Sequence, residues 1–133
     1  MTATTALSRE MDSKKLAMLC RDLADNKKAE DLLVMDVKNI SSITDYFVIA
    51  SGSSEPHLRA ISEEITETLK DEHGIIPSAQ DSNLQTGWVV IDFFDVIVHV
   101  MRSDVRKRYD LESLWGDAPQ VKPAKARKRP AKA

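Results

Sequence analysis

The sequence predicts an α/β domain, a mixed sheet of about four or five strands with flanking helices. Two stretches carry apolar residues at helical spacing, four short runs are rich in Val, Ile, Phe and Tyr, and the two patterns alternate along the chain. A length of 133 residues with 42% hydrophobic content fits one domain with a core of ordinary size.

Leu16, Leu19, Cys20 and Leu23 share one face of a first helix, for which Asp12 or Ser13 is available as N-cap. The runs DLLVMDV (31–37) and DYFVIAS (45–51), separated by the polar KNISSIT, read as two paired strands. After SGSS, Pro56 opens a second helix with the stripe Leu58, Ile61, Ile65 and Leu69, which stops at Gly74. IIPSAQ is at best a short edge strand, because Pro77 cannot donate to a ladder. WVVIDF and DVIVHVM form a hairpin, and SDVRKRYDLESLW supplies a last helix capped by Ser103 or Asp104 and ending at Gly116. The domain then spans 12–116, preceded by a flexible segment, 1–11. From 117 on, Pro119, Pro123, Pro130 and alternating Ala and Lys predict a disordered basic tail, 117–133.

The net charge of −2 conceals an asymmetry. Residues 118–133 hold six basic residues and no acid, leaving thirteen basic and twenty-one acidic residues, a charge of −8, on 1–117. An acidic body repels nucleic acid and suits a basic protein surface, whereas the tail reads either as a solvated spacer or as a contact for phosphates. No run approaches the roughly eighteen apolar residues of a membrane helix, and the opening MTATTALSREMD has no secretory or import pattern. The protein therefore reads as soluble and cytoplasmic, with no membrane partner. The single cysteine, Cys20, lies on the apolar stripe of the first helix and reads as a buried structural thiol.

SGSSEPHLR (51–59) ends a strand and opens a helix, a geometry that offers backbone N–H groups to an anion. A nucleotidyltransferase site would add two acids one residue apart on a following strand to hold magnesium. No such pair follows at a suitable distance, and the spacing and lysine of a P-loop are absent, so helix capping is the preferred reading. His57, His73 and His99 each lack a second ligand at metal-binding spacing. No metal, no cofactor and no catalytic residue is assigned, which favours a binding module over an enzyme.

Period-two geometry makes the hairpin informative. A two-residue turn at Phe93–Phe94 sets Asp92 opposite Asp95, Val90 opposite Ile97 and Trp88 opposite His99. Val89, Ile91, Val96, Val98 and Val100 then form an aliphatic face suited to packing under helices. The other face carries Trp88, Val90, Asp92, Ile97, His99 and Met101. That face reads either as a second core layer or as an exposed patch that docks a protein, since Trp and Met are enriched at interface centres. With two long helices on the aliphatic face, docking is the preferred reading. Asp92 and Asp95 flank the turn and bond readily to its backbone. Face to face, they would resist full ionisation unless a partner's Lys or Arg came near.

SSITDYFVIASGSS, WVVIDFFDVIVHVM and RKRYDLESLWGDA, in this order, resemble the ribosomal silencing factor family, also called RsfS or Iojap-related, over residues 12–118. Phe94 stands where the family usually has Gly, Asp81 and Ser82 where a Glu-Gly pair is common, and Pro56 where a basic residue is usual. The resemblance implies a nucleotidyltransferase-like fold, here without the catalytic acid pair. It also implies a factor that binds the large ribosomal subunit through its ribosomal protein fourteen, blocks joining of the small subunit and represses translation under starvation or in stationary phase. Large-subunit assembly and a degenerate nucleotide-binding role are the alternatives. Trp88, Val90, Ile97, His99 and Met101 are then the expected apolar contacts, Asp92 and Asp95 acceptors for the partner's Lys or Arg, and the basic tail a contact for ribosomal RNA. An exposed apolar patch would also suit a homodimer of the free protein.

Overall fold

The computed structural model describes residues 12–110, 113 and 119–121. The element order is α1 (Ser13–Asn26), β1 (Glu30–Asp36), β2 (Tyr46–Gly52), α2 (Glu55–His73), β3 (Ala79–Asp81), a 3-10 turn (Leu84–Thr86), β4 (Trp88–Asp92), β5 (Val96–Arg102) and α3 (Ser103–Tyr109). One five-stranded sheet runs β1-β2-β5-β4-β3, antiparallel throughout except for the central β2–β5 pair. Among the described residues no helix is long and apolar enough to cross a membrane.

Local chemistry fixes the helix ends. Asp12 accepts the Lys15 N–H at 2.8 Å to start α1, and Ser54 caps α2 through the His57 N–H. Gly74 closes α2 with φ 66°, a left-handed position that glycine takes without steric cost. α3 departs from expectation at both ends. Its N-cap is Arg102, which makes no side-chain capping bond, while Ser103 and Asp104 sit inside the first turn. The helix ends at Tyr109 with Asp110 at φ 49°, a region that Asp is among the few non-glycine residues to tolerate; of the expected remainder, 111–115, only Ser113 is described, and it is helical. The expected stop at Gly116 and the segment 1–11 lie outside the described residues.

Both long helices pack on one face of the sheet. Leu16, Cys20 and Leu23 of α1 and Leu58, Ile61, Ile65 and Leu69 of α2 join Val34, Val48, Val89, Ile91, Val98 and Val100 in the main core. Burial of each such side chain contributes about 1.5–3 kcal/mol. Gly52 lets α2 begin this close to β2, since a Cβ there would meet Leu58 Cδ2 at 2.8 Å. Met35, Val37, Phe47, Ile49, Met101 and Val105 form a smaller cluster on the opposite face, where α3 supplies Val105.

The hairpin register differs from expectation by two residues. Trp88 pairs with Met101, Val90 with His99 and Asp92 with Ile97. The ladder closes at Phe93 N–H to Val96 O, 2.8 Å, so the two-residue loop is Phe94–Asp95. Asp95 N–H donates to Phe93 O across Phe94, a γ-turn whose central φ is 75°; this form is rare and strained. A shift of two preserves the parity of the strands, so every residue keeps its expected face. Asp92 and Asp95 no longer face one another.

Composition places everything from 117 on outside the fold, whereas Pro119–Val121 line the edge of β1. Asp36 N–H donates to Pro119 O and Val121 N–H to Val34 O, both at 2.8 Å, around a bridge between Met35 and Gln120. An edge strand offers a row of unpaired backbone groups, and this segment satisfies part of that row.

Phe94→Gly should stabilise the domain by about 1 kcal/mol, because the ring is 72% exposed and contributes little packing while its backbone sits at positive φ. Urea unfolding checks this, and a lower midpoint for the variant would show that the ring holds the turn.

Candidate functional site

Paired residues share a face of a sheet, so the registers assemble the second face row by row. Trp88, Met101 and Ser51 form the row nearest α3, followed by Val90, His99, Ile49 and Leu33. Asp92, Ile97, Phe47 and Met35 form the row nearest the hairpin turn. Leu33, Ile49 and Phe47 were missed by reading the hairpin alone. Their signal was present in the alternation of β1 and β2, but no sequence rule pairs β2 with a strand fifty residues away.

Exposure on this face is graded. Trp88, Val90, Asp92 and Ile97 are half-buried and Asp95 is exposed. Met101 has no exposed surface and His99 is only 8% exposed, so these two are not the surface contacts the sequence suggests. The reason is α3, which folds back beside Met101 and brings Val105 into the cluster. Its Tyr109, which the sequence reading did not assign to the site, lies with its ring 5.1 Å from that of Trp88.

His99 is held by its neighbours. Trp88 Nε1 donates to His99 Nδ1 at 3.0 Å, so the imidazole proton resides on Nε2, which is buried without a hydrogen-bond partner among the described residues. The Phe47 ring stands edge-on at 5.2 Å. Burial lowers the imidazole pKa to about 4, and the ring is neutral at physiological pH. It therefore locks the Trp88 indole in place and presents no charge.

The turn end of the face is acidic and apolar together. Asp92 Oδ1 accepts the Phe94 N–H at 2.8 Å, and Asp95 O accepts from Asp45 N–H and Tyr46 N–H. These bonds set the turn beside the β1–β2 connection, which exposes Ile43 at 76%. Asp95 itself is exposed, and among the described residues its carboxylate has no hydrogen bond or ion pair.

The SGSS loop is committed internally. Ser53 N–H donates to His57 Nδ1 at 2.9 Å, and His57 Nε2–H in turn donates to Lys27 O at 2.8 Å, tying the end of α1 to the start of α2. That removes from ligand binding an N–H which an anion site at this loop would use. Among the described residues no group of three or more His, Cys, Asp or Glu side chains could hold a metal ion.

Fold and face together define a small mixed-sheet domain with one face sealed by two helices and the other left partly open around Trp88. The chain belongs to the ribosomal silencing factor family, whose description, "ribosomal silencing factor during starvation", matches residues 10–133. It is 40% identical over 109 residues to the ribosomal silencing factor RsfS of Bacillus subtilis, covering 82% of this chain and 92% of that protein. Similarity extends to the mouse "mitochondrial assembly of ribosomal large subunit protein 1", 31% identical over 94 residues, which are 67% of this chain and 40% of that one. A crystal structure of a Chromobacterium violaceum protein superposes with a TM-score of 0.76 at 29% identity, covering 86% of this chain and 92% of that one.

His99 should make stability depend on pH. Its folded pKa is about 4 against an ordinary 6.5, so the unfolded chain takes up a proton first as pH falls. Its stabilising contribution is complete above pH 6.5 and declines towards pH 4, by about 3 kcal/mol in all. In urea unfolding at several pH values, His99→Gln should lose less stability between pH 6.5 and 4 than the parent; parallel profiles would contradict the buried neutral imidazole.

Proposed function

We propose that the open sheet face docks the chain on the large ribosomal subunit, through ribosomal protein fourteen, and that the bound domain sterically blocks joining of the small subunit. The observation that carries this reading is the composition of the face: half-exposed Trp88, Val90 and Ile97, with the carboxylates of Asp92 and Asp95 at its turn end. A body of charge −8 is steered toward a basic protein, and a few apolar anchors with charged neighbours set the strength of contact. His99 and Met101 act from beneath, as the support on which Trp88 rests.

No bond is made or broken in this mechanism, so the protein is a repressor of translation in the cytoplasm and not an enzyme. The family description ties the role to starvation. Assembly of the large subunit is a second reading, favoured by the name of the mouse relative. The basic residues of 122–132 follow in sequence on the segment paired with β1 and are assigned to ribosomal RNA phosphates.

Saturating protein should suppress the light-scattering rise when purified subunits are mixed. Undiminished joining would overturn the anti-association role, and precursor large subunits in a deletion strain under all growth conditions would support assembly instead. Val90→Glu and Asp95→Lys should each weaken co-sedimentation with large subunits by about tenfold while leaving the melting temperature unchanged. Full retention of binding by both variants would place the contact elsewhere.

A further inference from the structure

The two most exposed large apolar side chains among the described residues, Ile43 at 76% and Phe94 at 72%, stand at the same end of the sheet. Ile43 belongs to the connection from β1 to β2, and Phe94 to the hairpin turn between β4 and β5. Because β2 and β5 are parallel neighbours, these two loops lie side by side. Asp45 N–H donates to Asp95 O at 2.9 Å, joining the loops two residues from Ile43 and one from Phe94. A single exposed apolar side chain is ordinary on a protein surface, whereas neighbouring ones begin to form a patch.

Both loops are held by hydrogen bonds. Ser41 Oγ accepts the N–H groups of Ile43 and Thr44 at 3.1 and 3.4 Å, Thr44 is buried, and Ser13 Oγ donates to Asp45 Oδ2 at 3.1 Å. In the hairpin, Phe93 turns into the main core, while Phe94 stays outside it with its N–H held by Asp92 Oδ1 at 2.8 Å. Asp92 belongs to the last row of the open face, so Phe94 follows directly on that face. Backbone fixed in this way presents a side chain with little left to order on binding.

Phe94 also occupies a position that costs stability. Its φ of 75° is sterically disfavoured for any residue with a Cβ, and the exposed ring gains little packing in return. Strain retained under a side chain that packs so little within the domain points to a use outside it. The surrounding charges set the chemistry of that use. Lys38 is the single cation of 37–45 and 93–95, and it is paired with Asp36 at 3.7 Å and bonded to Tyr46 Oη at 3.0 Å. Asp45, Asp92 and Asp95 therefore leave this end acidic.

We propose that Ile43 and Phe94 are a second pair of anchors, which enter an apolar pocket rimmed by Lys or Arg on the basic protein that the Trp88 face meets. The inference rests on the docking reading and extends that surface over the hairpin end. Trp88 and Phe94 are about 20 Å apart along β4, at about 3.3 Å per residue. Two anchors at that separation fix the angle at which the domain sits, and a steric block depends on that angle.

The test is equilibrium binding of the full-length protein to purified large subunits, read by co-sedimentation over a concentration series. Phe94→Gly and Phe94→Asn remove the ring but keep a residue that accepts the left-handed turn; each should weaken binding by about tenfold without lowering the urea midpoint. Phe94→Tyr should bind as the parent does, and Ile43→Ser should weaken binding at an unchanged melting temperature. Parental binding by Phe94→Gly, Phe94→Asn and Ile43→Ser overturns the inference, and if Val90→Glu is impaired in the same assay the docking reading stands without it. Full binding by Val90→Glu and Asp95→Lys as well removes the docking reading itself. Altered self-association of the free Phe94→Gly chain in sedimentation velocity, with subunit binding unchanged, would assign the pair to a second copy of this chain and likewise overturn the inference.

Discussion

Parallel pairing of β2 with β5 is the constraint on which the rest of the molecule depends. Seven successive residues, Tyr46–Gly52, align with Val96–Arg102 at a constant offset. Parallel neighbours cannot be joined by a tight turn, so the chain between them must make a long excursion. That excursion carries α2 over one face and returns through β3 and β4. With α1 packed beside α2, both long helices lie on a single side, and the main core forms there from alternating, mostly aliphatic strand residues. The same alignment brings Asp95 O to the N–H groups of Asp45 and Tyr46, and Ser51 Oγ to Arg106.

Among the described residues, only α3 and a few neighbours cover the second face. α3 is seven residues long and closes the end near Met101. There the indole of Trp88 finds its acceptor in His99, and the desolvated imidazole stays neutral. A Trp–His hydrogen bond adds about 0.5–1.5 kcal/mol, but its larger consequence is orientation, since the indole is held between His99 and Tyr109. Toward the turn the cover ends, and the face passes from buried His99 to half-buried Ile97 and then to the carboxylates of Asp92 and Asp95. An apolar centre with an acidic end is the form that a basic protein surface would match.

Much of this was legible in the residues. The three-and-four spacing of Leu58, Ile61, Ile65 and Leu69 marked α2, and alternation in WVVIDF and DVIVHVM assigned each side chain to its face. Parity made the faces readable even with the register displaced by two, because a shift of two leaves both faces intact. The displacement came from Phe94, since an aromatic ring is a poor guide to a left-handed turn residue. Depth was harder to read than facing. Nothing local to His99 or Met101 reveals that a helix two residues further on folds back beside them. Arg106 reaching Ser51 and Gln120 lying against Met35 link positions more than fifty residues apart, which no local pattern encodes. Composition correctly described the charge of the tail, yet backbone hydrogen bonding to an exposed edge needs no hydrophobic signal, and so Pro119–Val121 went unseen.

The account rests on the claim that the Trp88 face, and not the helical face, meets the ribosome. Hydroxyl-radical footprinting of the full-length protein, free and bound to large subunits, reads that claim at side-chain level. The account predicts that oxidation of Trp88 and Phe94 falls on binding while His73, at the end of α2, reacts as before. Unchanged oxidation of Trp88 together with protection of His73 would contradict it.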